Sequence, residues 1–261
     1  MMISSTKNPK AQWIRRLQSK GQQRQVEGLF VVEGVRLVEV ARSSDWEIEF
    51  LVYTEELSSR GMAIVEESAK YNTQTTKISS HVMRALSDTK NPQGILAVIK
   101  MKSLPVPDQL DFVLVLDQVR EPGNLGAILR SASAAGVQVV CLTAGTVDPY
   151  SPKVLRAGMG AQLNLPVVIN TWEEVKSLIE TSKLKTFIAE ADKGELYHQC
   201  DFSQPLALII GGEAEGAGEK AHRMADSLIH IPMPGGGESL NASVSAGIIL
   251  FEVVRQRGIS I

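Results

Sequence analysis

Three stretches of this 261-residue chain hold residue types that could do chemistry. In "DQVREPGNLGAILRSASAAG" (117–136), Asn124 offers an amide that can both donate and accept, and Arg130 offers a planar cation suited to phosphate or developing negative charge. In "LALIIGGEAEGAGEK" (206–220), Gly211 and Gly212 let backbone approach a ligand closely, and Glu213 brings a carboxylate. In "IPMPGGGESLNASVSAGIILFE" (231–252), three glycines precede Ser239-Leu240-Asn241 and an apolar helix. The free donors and carbonyls of that loop could hold an adenine or a carboxylate. Each feature also has a plain structural account. Arg130 can be a solvated helix arginine, the glycine pair a tight strand-to-helix turn, and Asn124, Ser239 or Asn241 a helix cap. The glycines form neither a P-loop, since Ala217 follows Gly216, nor a GxGxxG dinucleotide fingerprint.

The elements around these stretches alternate between strand and helix. "FVLVL" (112–116), "VQVVCL" (137–142), "LPVVI" (165–169), "TFIAE" (186–190), "LALII" (206–210) and "LIHIP" (228–232) are nearly continuous apolar runs with helical patterns between most of them. Such runs predict a parallel sheet covered on both faces, whose ligands bind beyond the carboxyl ends of the strands. Leu240, Val244, Ile248 and Phe251 recur at helical spacing after the third loop. Toward the front, "GLFVVE", "EIEFLVY" and "GILAVIKM" read as strands, with "GVRLVEVARSS" and "EELSSRGMAIVEESAK" as helices. "KSLPVPDQLD" has two prolines and no apolar period. The reading is therefore α/β, with a small domain at 1–104, a linker at 105–111 and a parallel-sheet domain at 112–261.

Apolar residues make up 44% and charged residues 21%, and the formal net charge is −2. The first thirty residues nevertheless carry Lys7, Lys10, Arg15, Arg16, Lys20 and Arg24 against Glu27 alone. That cluster suits RNA phosphates, or else a solvated helix face. Trp13 within it could stack on an unpaired base or pack against the small domain. Cys141 and Cys200 form no CxxC, and Cys141 reads as a small core residue, which favours a reducing compartment. His81, His198, His222 and His230 lack metal spacing, so no metal is expected; His230 suits a structural or interface role. No apolar run approaches the roughly 18 residues of a membrane span, and a cytoplasmic protein is expected.

Taken in order, "GNLGAILRSASAAG", "IIGGEAEG" and "IPMPGGGESLNASVSAGIILFE" resemble the three motifs of the SpoU, or TrmH-like, RNA ribose methyltransferases of the SPOUT superfamily. The resemblance covers 112–257. "STKNPKAQWIRRL", "GLFVVEGVR" and "DTKNPQGILAVI" resemble the small substrate-binding domain found before the catalytic domain in many members. The resemblance implies a deep trefoil knot, in which the last helix threads a loop of the sheet, and a bent S-adenosylmethionine held by the knot. Gly211, Ile231 and Leu240 match cofactor positions, with Gly212, Met233 and Thr143 as further candidates for the same pocket. Asn124, Arg130, Glu213, Ser239 and Asn241 match the polar active-site positions, and Lys7, Lys10, Arg15 and Arg16 fall on the RNA-binding side. Pro234 and the expanded glycine run depart from the usual third motif.

The reaction so implied is methyl transfer to a ribose 2′-hydroxyl by a homodimer joined through the knotted domain. Large-subunit ribosomal RNA is the expected substrate, with transfer RNA as the alternative. A guanidinium is hard to deprotonate. Arg130 therefore suits holding a phosphate and developing alkoxide charge, with the substrate phosphate available as base. Two rival classes are a non-catalytic RNA-binding protein that keeps the fold and a small-molecule methyltransferase. The polar motif residues speak against the first and the basic front end against the second.

Overall fold

In the computed structural model of the chain, which describes residues 2–44, 46–213 and 215–258, the backbone forms two compact units. One comprises the residues up to Lys102 together with Tyr150–Leu163, and the other Ser103–Pro149 with the residues after Leu163.

The first unit opens with helix α1 (Pro9–Ser19), which starts where Asn8 accepts a hydrogen bond from the Lys10 N–H and Pro9 supplies the first helical φ. Then follow α2 (Gly21–Glu27), β1 (Leu29–Glu33), α3 (Val35–Ser43), β2 (Ile48–Tyr53), α4 (Ser59–Lys70), β3 (Gln74–Lys77), α5 (Ser80–Leu86) and β4 (Ile95–Lys100). The sheet order is β1-β4-β2-β3. Strands β1 and β2 run antiparallel to β4, and β3 runs parallel to β2. Ile14 and Leu17 of α1 and Val82 and Met83 of α5 are buried against Val31, Phe50 and Val98 of this sheet. Arg24 departs from the solvated basic face read from the sequence. It is buried, and its guanidinium donates to the carbonyls of Leu17 (2.6 Å) and Gln18 (3.0 Å), tying α2 to the end of α1.

The second unit runs β5 (Phe112–Asp117), α6 (Pro122–Ala134) and β6 (Val139–Leu142). The chain then contributes α7 (Pro152–Ala157) to the first unit. This excursion lies inside the stretch that the sequence assigns to the second domain. Val154, Leu155 and Leu163 are buried there, the Trp46 ring N–H donates to the Leu163 carbonyl (2.8 Å), and the rings of Tyr150 and Phe30 lie 4.8 Å apart. Arg156 pairs with Asp88 at 2.5 Å.

After α7 come β7 (Val167–Ile169), α8 (Trp172–Ser182), β8 (Lys185–Glu190), β9 (Glu195–Leu196), β10 (Leu206–Gly211), α9 (Glu219–His222), β11 (Ser227–His230) and α10 (Ala242–Gln256). All strands are parallel in the order β7-β6-β5-β10-β8-β11-β9. This is the parallel α/β architecture expected from the apolar runs. Every residue of the central strands β5 and β10 is buried, as a sheet covered on both faces requires. Helix α8 is fixed at its start by a capping box between Thr171 and Glu174. Helix α10 packs against α6 and β10 through Ala246, Ile249, Leu250 and Val253. No helix among the described residues is long and apolar enough to cross a membrane.

Candidate functional site

Because the strands of the second unit are parallel, their carboxyl ends share one edge, and the loops after β5, β8, β10 and β11 meet there. Asp117, the last residue of β5, is buried. One of its carboxylate oxygens accepts from the Thr143 hydroxyl (2.6 Å) and the other from the Gly218 N–H (2.8 Å). It thus ties the loop after β6 to the loop after β10. Thr143 is occupied by this bond and does not line the cleft beside it.

Two glycines let the loop after β10 cross other backbone. A Cβ on Gly211 would stand 2.1 Å from the Ala217 nitrogen, and one on Gly212 would stand 2.3 Å from the Gln118 carbonyl oxygen. Neither obstacle is a side chain that could turn aside, so only glycine permits this path.

One polar residue from each of the three loops joins a single hydrogen-bonded chain. The Asn241 side-chain oxygen caps α10, accepting from the N–H groups of Ser243 (2.9 Å) and Val244 (3.4 Å). With its oxygen so engaged, its amide nitrogen must donate, and it does so to the Asn124 oxygen (2.9 Å). Asn124 must then donate in turn, and its nitrogen reaches Glu213 Oε1 (2.8 Å). The Glu213 carboxylate also takes the backbone N–H groups of Arg120 and Glu121, each at 3.3 Å. The helix terminus therefore sets the direction of every bond as far as the carboxylate.

Desolvation against the loop pushes the Glu213 carboxyl upward, but donation from Asn124 and from the backbone of Glu213, Arg120 and Glu121 outweighs it. The net result lies below the ordinary carboxylate value, so Glu213 is an anion at neutral pH.

Beside this chain lies a cleft of about 510 Å³. Of the candidate residues, Gly211, Gly212, Glu213, Ile231, Met233, Ser239, Leu240 and Asn241 line it. Its walls mix the apolar Ile210, Leu240 and Ile249 with backbone of the glycine loop. Glu190 at the end of β8 and Ser245 on the first turn of α10 line it too. The sequence reading missed both. The strand-end rule that pointed to the loops after β10 and β11 applies equally to the end of "TFIAE" and would have found Glu190.

Asn124 touches this site only through its two hydrogen bonds. It is not the cap expected from the sequence. Glu121 caps α6, and Pro122 begins it. The earlier start moves Arg130 from the second turn to the third. Arg130 is exposed and, among the described residues, has neither hydrogen bond nor ion pair. It does not line the cleft.

In the first unit, Lys7, Arg15 and Arg16 are exposed. Lys10 is half-buried, donates to Gln74 (3.2 Å) and lies 4.2 Å from the centre of the Phe50 ring. Trp13 donates to Glu27 (2.6 Å) and packs against the core beside Phe50, which is the packing alternative.

Residues 111–251 match the SpoU rRNA Methylase family, and residues 8–97 match the MRM3-like substrate binding domain. The chain is 29% identical to the 23S rRNA (guanosine(2553)-2′-O)-methyltransferase RlmP of Bacillus subtilis, covering 96% of this chain and 98% of that protein. It is 31% identical to the 23S rRNA (guanosine-2′-O-)-methyltransferase RlmB of Shewanella oneidensis, over 87% of this chain and 97% of the relative. Among solved structures, the SpoU methyltransferase AviRb from Streptomyces viridochromogenes, crystallised with the cofactor AdoMet, superposes with a TM-score of 0.87 at 28% identity, covering 97% of this chain and 100% of that one.

Proposed function

This chain belongs to the SpoU rRNA Methylase family, and from that premise we propose that it transfers a methyl group from S-adenosylmethionine to a ribose 2′-hydroxyl of large-subunit ribosomal RNA. The observation that carries the proposal is the chain Asn241–Asn124–Glu213, which joins one residue from each of the three loops at the edge of the cleft. The cleft fits the cofactor. Its volume falls within the roughly 300–1,000 Å³ of small-molecule sites, and apolar walls alternate with exposed backbone. Gly211, Gly212, Ile231, Met233 and Leu240 would hold the cofactor, which supplies an electrophilic sulfonium methyl.

The protein's part is alignment and charge. Ser239 and Asn241, the latter held by Asn124, position the acceptor ribose so that its oxygen faces the methyl carbon in line with the carbon–sulfur bond. As the carbon–oxygen bond forms, the carbon–sulfur bond breaks and sulfur leaves as a neutral thioether. The hydroxyl proton passes to a base, for which the substrate phosphate is available. Arg130, unpartnered among the described residues, holds that phosphate and offsets alkoxide charge. Glu213 remains ionised and fixes Asn124. Both thiols are poor nucleophiles. Burial pushes Cys141 up to about 12, and burial followed by the nearby Glu195 pushes Cys200 up to about 11. This supports an oxygen acceptor over attack on a base carbon through a cysteine.

The reading includes residues 112–261 as the transferase domain with the knotted path of the SPOUT fold, residues 1–104 as the RNA-binding domain, and Lys7, Arg15 and Arg16 as phosphate contacts. It also includes a homodimer. Leu240, Val244 and Phe251, the face that sequence periodicity picks out on and before α10, remain 39%, 48% and 49% exposed, and a second copy would cover them.

The test is alkaline hydrolysis of unmodified ribosomal RNA after incubation with enzyme and S-adenosylmethionine. A 2′-O-methyl group removes the internal nucleophile, so one position resists cleavage only when both are present. Recovery of the methyl group on a free base after complete digestion overturns the proposal.

A further inference from the structure

The first unit carries a cavity of its own, of about 450 Å³, lined by none of the residues of the three loops already described. It lies where β1 and β2 end and β4 begins. Its floor is Thr54, only 3% exposed, whose hydroxyl has no hydrogen-bond partner among the described residues. The hydroxyl oxygen is not sealed in the core and is open to the cavity it helps to line. Such a group in a cavity floor marks a place where a ligand completes the bonding.

The residues around Thr54 are arranged as donors. The Gln93 side-chain oxygen accepts from the Val35 N–H (2.8 Å) at the start of α3. This fixes the amide so that its nitrogen is the group left to present. Arg36, on the first turn of α3, is exposed and makes no hydrogen bond or close ion pair among the described residues, though its charge is felt by Glu39. Arg60, on the first turn of α4, lines the cavity while paired with Glu39. Glu56 contributes one carboxylate to the lining. Gly94, at φ +81°, passes so close to Thr54 that a Cβ would stand 2.5 Å from its hydroxyl oxygen, so this floor exists only with glycine there.

We infer that this cavity binds one phosphate–ribose unit of the RNA substrate. Arg36 and Arg60 meet the phosphate, Thr54 and the Gln93 amide meet ribose oxygens, and Glu56 accepts from the 2′-hydroxyl. Among the described residues no aromatic ring lines the cavity, so recognition is of the backbone and not by base stacking. The site lies apart from the basic helix α1 and adds a second anchor for RNA. The inference rests on the RNA-methyltransferase reading of the chain, and the experiment separates the two.

Arg36→Ala, Thr54→Val and Thr54→Ser are made in the full chain. Filter binding to unmodified, in-vitro-transcribed large-subunit ribosomal RNA is followed across a range of salt, and calorimetry follows S-adenosylmethionine. Arg36→Ala is expected to weaken RNA binding about fivefold and to lower the slope of log affinity against log salt by about 1, as loss of one phosphate contact requires. Thr54→Val is expected to weaken binding several-fold at every salt concentration with the slope unchanged, and Thr54→Ser to restore it. Cofactor affinity stays constant throughout. Wild-type RNA affinity and slope in both Arg36→Ala and Thr54→Val overturn the pocket while leaving methyl transfer standing. Weakened RNA binding in the variants of a chain that transfers no methyl group leaves the pocket standing and overturns the catalytic reading. A wild-type chain without RNA affinity overturns both.

Discussion

Replacing the Asn241 amide nitrogen by oxygen, as in Asn241→Asp, isolates the hydrogen-bond chain from helix capping. The cap oxygen remains and can still accept from Ser243 and Val244. The second oxygen now faces the Asn124 oxygen across 2.9 Å, acceptor against acceptor. If Asn124 turns to donate to the new carboxylate, its own oxygen moves onto the Glu213 carboxylate 2.8 Å away. Either way one hydrogen bond, worth about 0.5–1.5 kcal/mol, becomes an opposed pair. An anion at the start of α10 returns only about 0.3–1 kcal/mol. With the repulsion included, the net loss is about 1–2 kcal/mol, or about 2–8 °C in Tm at roughly 2–4 °C per kcal/mol. Asn241→Ser is the reference. It keeps a capping oxygen, loses the same bond and creates no opposed pair. Scanning calorimetry at pH 7.5 should rank the melting temperatures Asn, Ser, Asp in falling order. Capping alone predicts Asp at or above Ser. Near pH 4, where a carboxyl of ordinary pKa gains a proton and becomes a donor, the Asp variant should regain ground on Ser. An Asp variant that melts at or above the Ser variant at pH 7.5 would refute the directional chain.

Four other outcomes are expected. Arg130→Ala should lower turnover about 10²–10³-fold with cofactor affinity retained, as single-turnover assays and calorimetry will show; near wild-type turnover would remove Arg130 from the reaction. Gly212→Ala drives a Cβ to 2.3 Å from the Gln118 carbonyl, so it should abolish cofactor binding by calorimetry and destabilise the second unit by about 1–3 kcal/mol in urea. Glu213, whose pKa is lowered in the fold, contributes stability that is full above the unfolded value of 4.5 and is lost as pH falls through the folded one. The stability gap between wild type and Glu213→Gln should therefore close on acidification below that value, and a constant gap in urea titrations would contradict the assignment. A fragment starting at Asp108 should lose most RNA affinity, and it lacks the unit on which Tyr150–Leu163 packs. Trypsin should then cut it at Lys153 or Arg156 faster than it cuts the full chain, and equal rates would show that this segment folds without its partner unit.

What the sequence made legible was what depends on local pattern. "FVLVL" and "LALII" are apolar without a break because both faces of β5 and β10 are covered, and a parallel sheet follows from that. Asn241 could be read as a cap because a side chain of that type precedes an apolar helix, and it is one. The start of α6 was misplaced although its signal was present: Pro122 fits the first helical position and Glu121 the cap. Strand β3, "QTTK", has no apolar residue and is held by pairing with β2, which no local rule detects. Periodicity found an apolar face on α10 but could not tell that the packed face is the other one, Ala246, Ile249, Leu250 and Val253. Charge counting placed Arg24 with the solvated bases because carbonyl acceptors six and seven residues away leave no mark on composition. At the site, the identities of Asn124, Glu213 and Asn241 were legible, and the order in which they bond was not. That order depends on which oxygen the helix terminus claims first.

The excursion of Tyr150–Leu163 into the first unit sets a schedule for synthesis. Residues up to Lys102 leave the ribosome first, yet Trp46, Phe30 and Asp88 wait for partners in a segment that ends about 60 residues beyond Lys102. At roughly 5–20 residues per second that wait is about 3–12 s. Over that interval β5, α6 and β6 are also made, so the first unit can close only after the opening of the second unit has been produced. The nascent chain therefore carries an incomplete amino-terminal unit well into translation of the second, and slow codons placed before residue 150 would lengthen its exposure to chaperones and proteases.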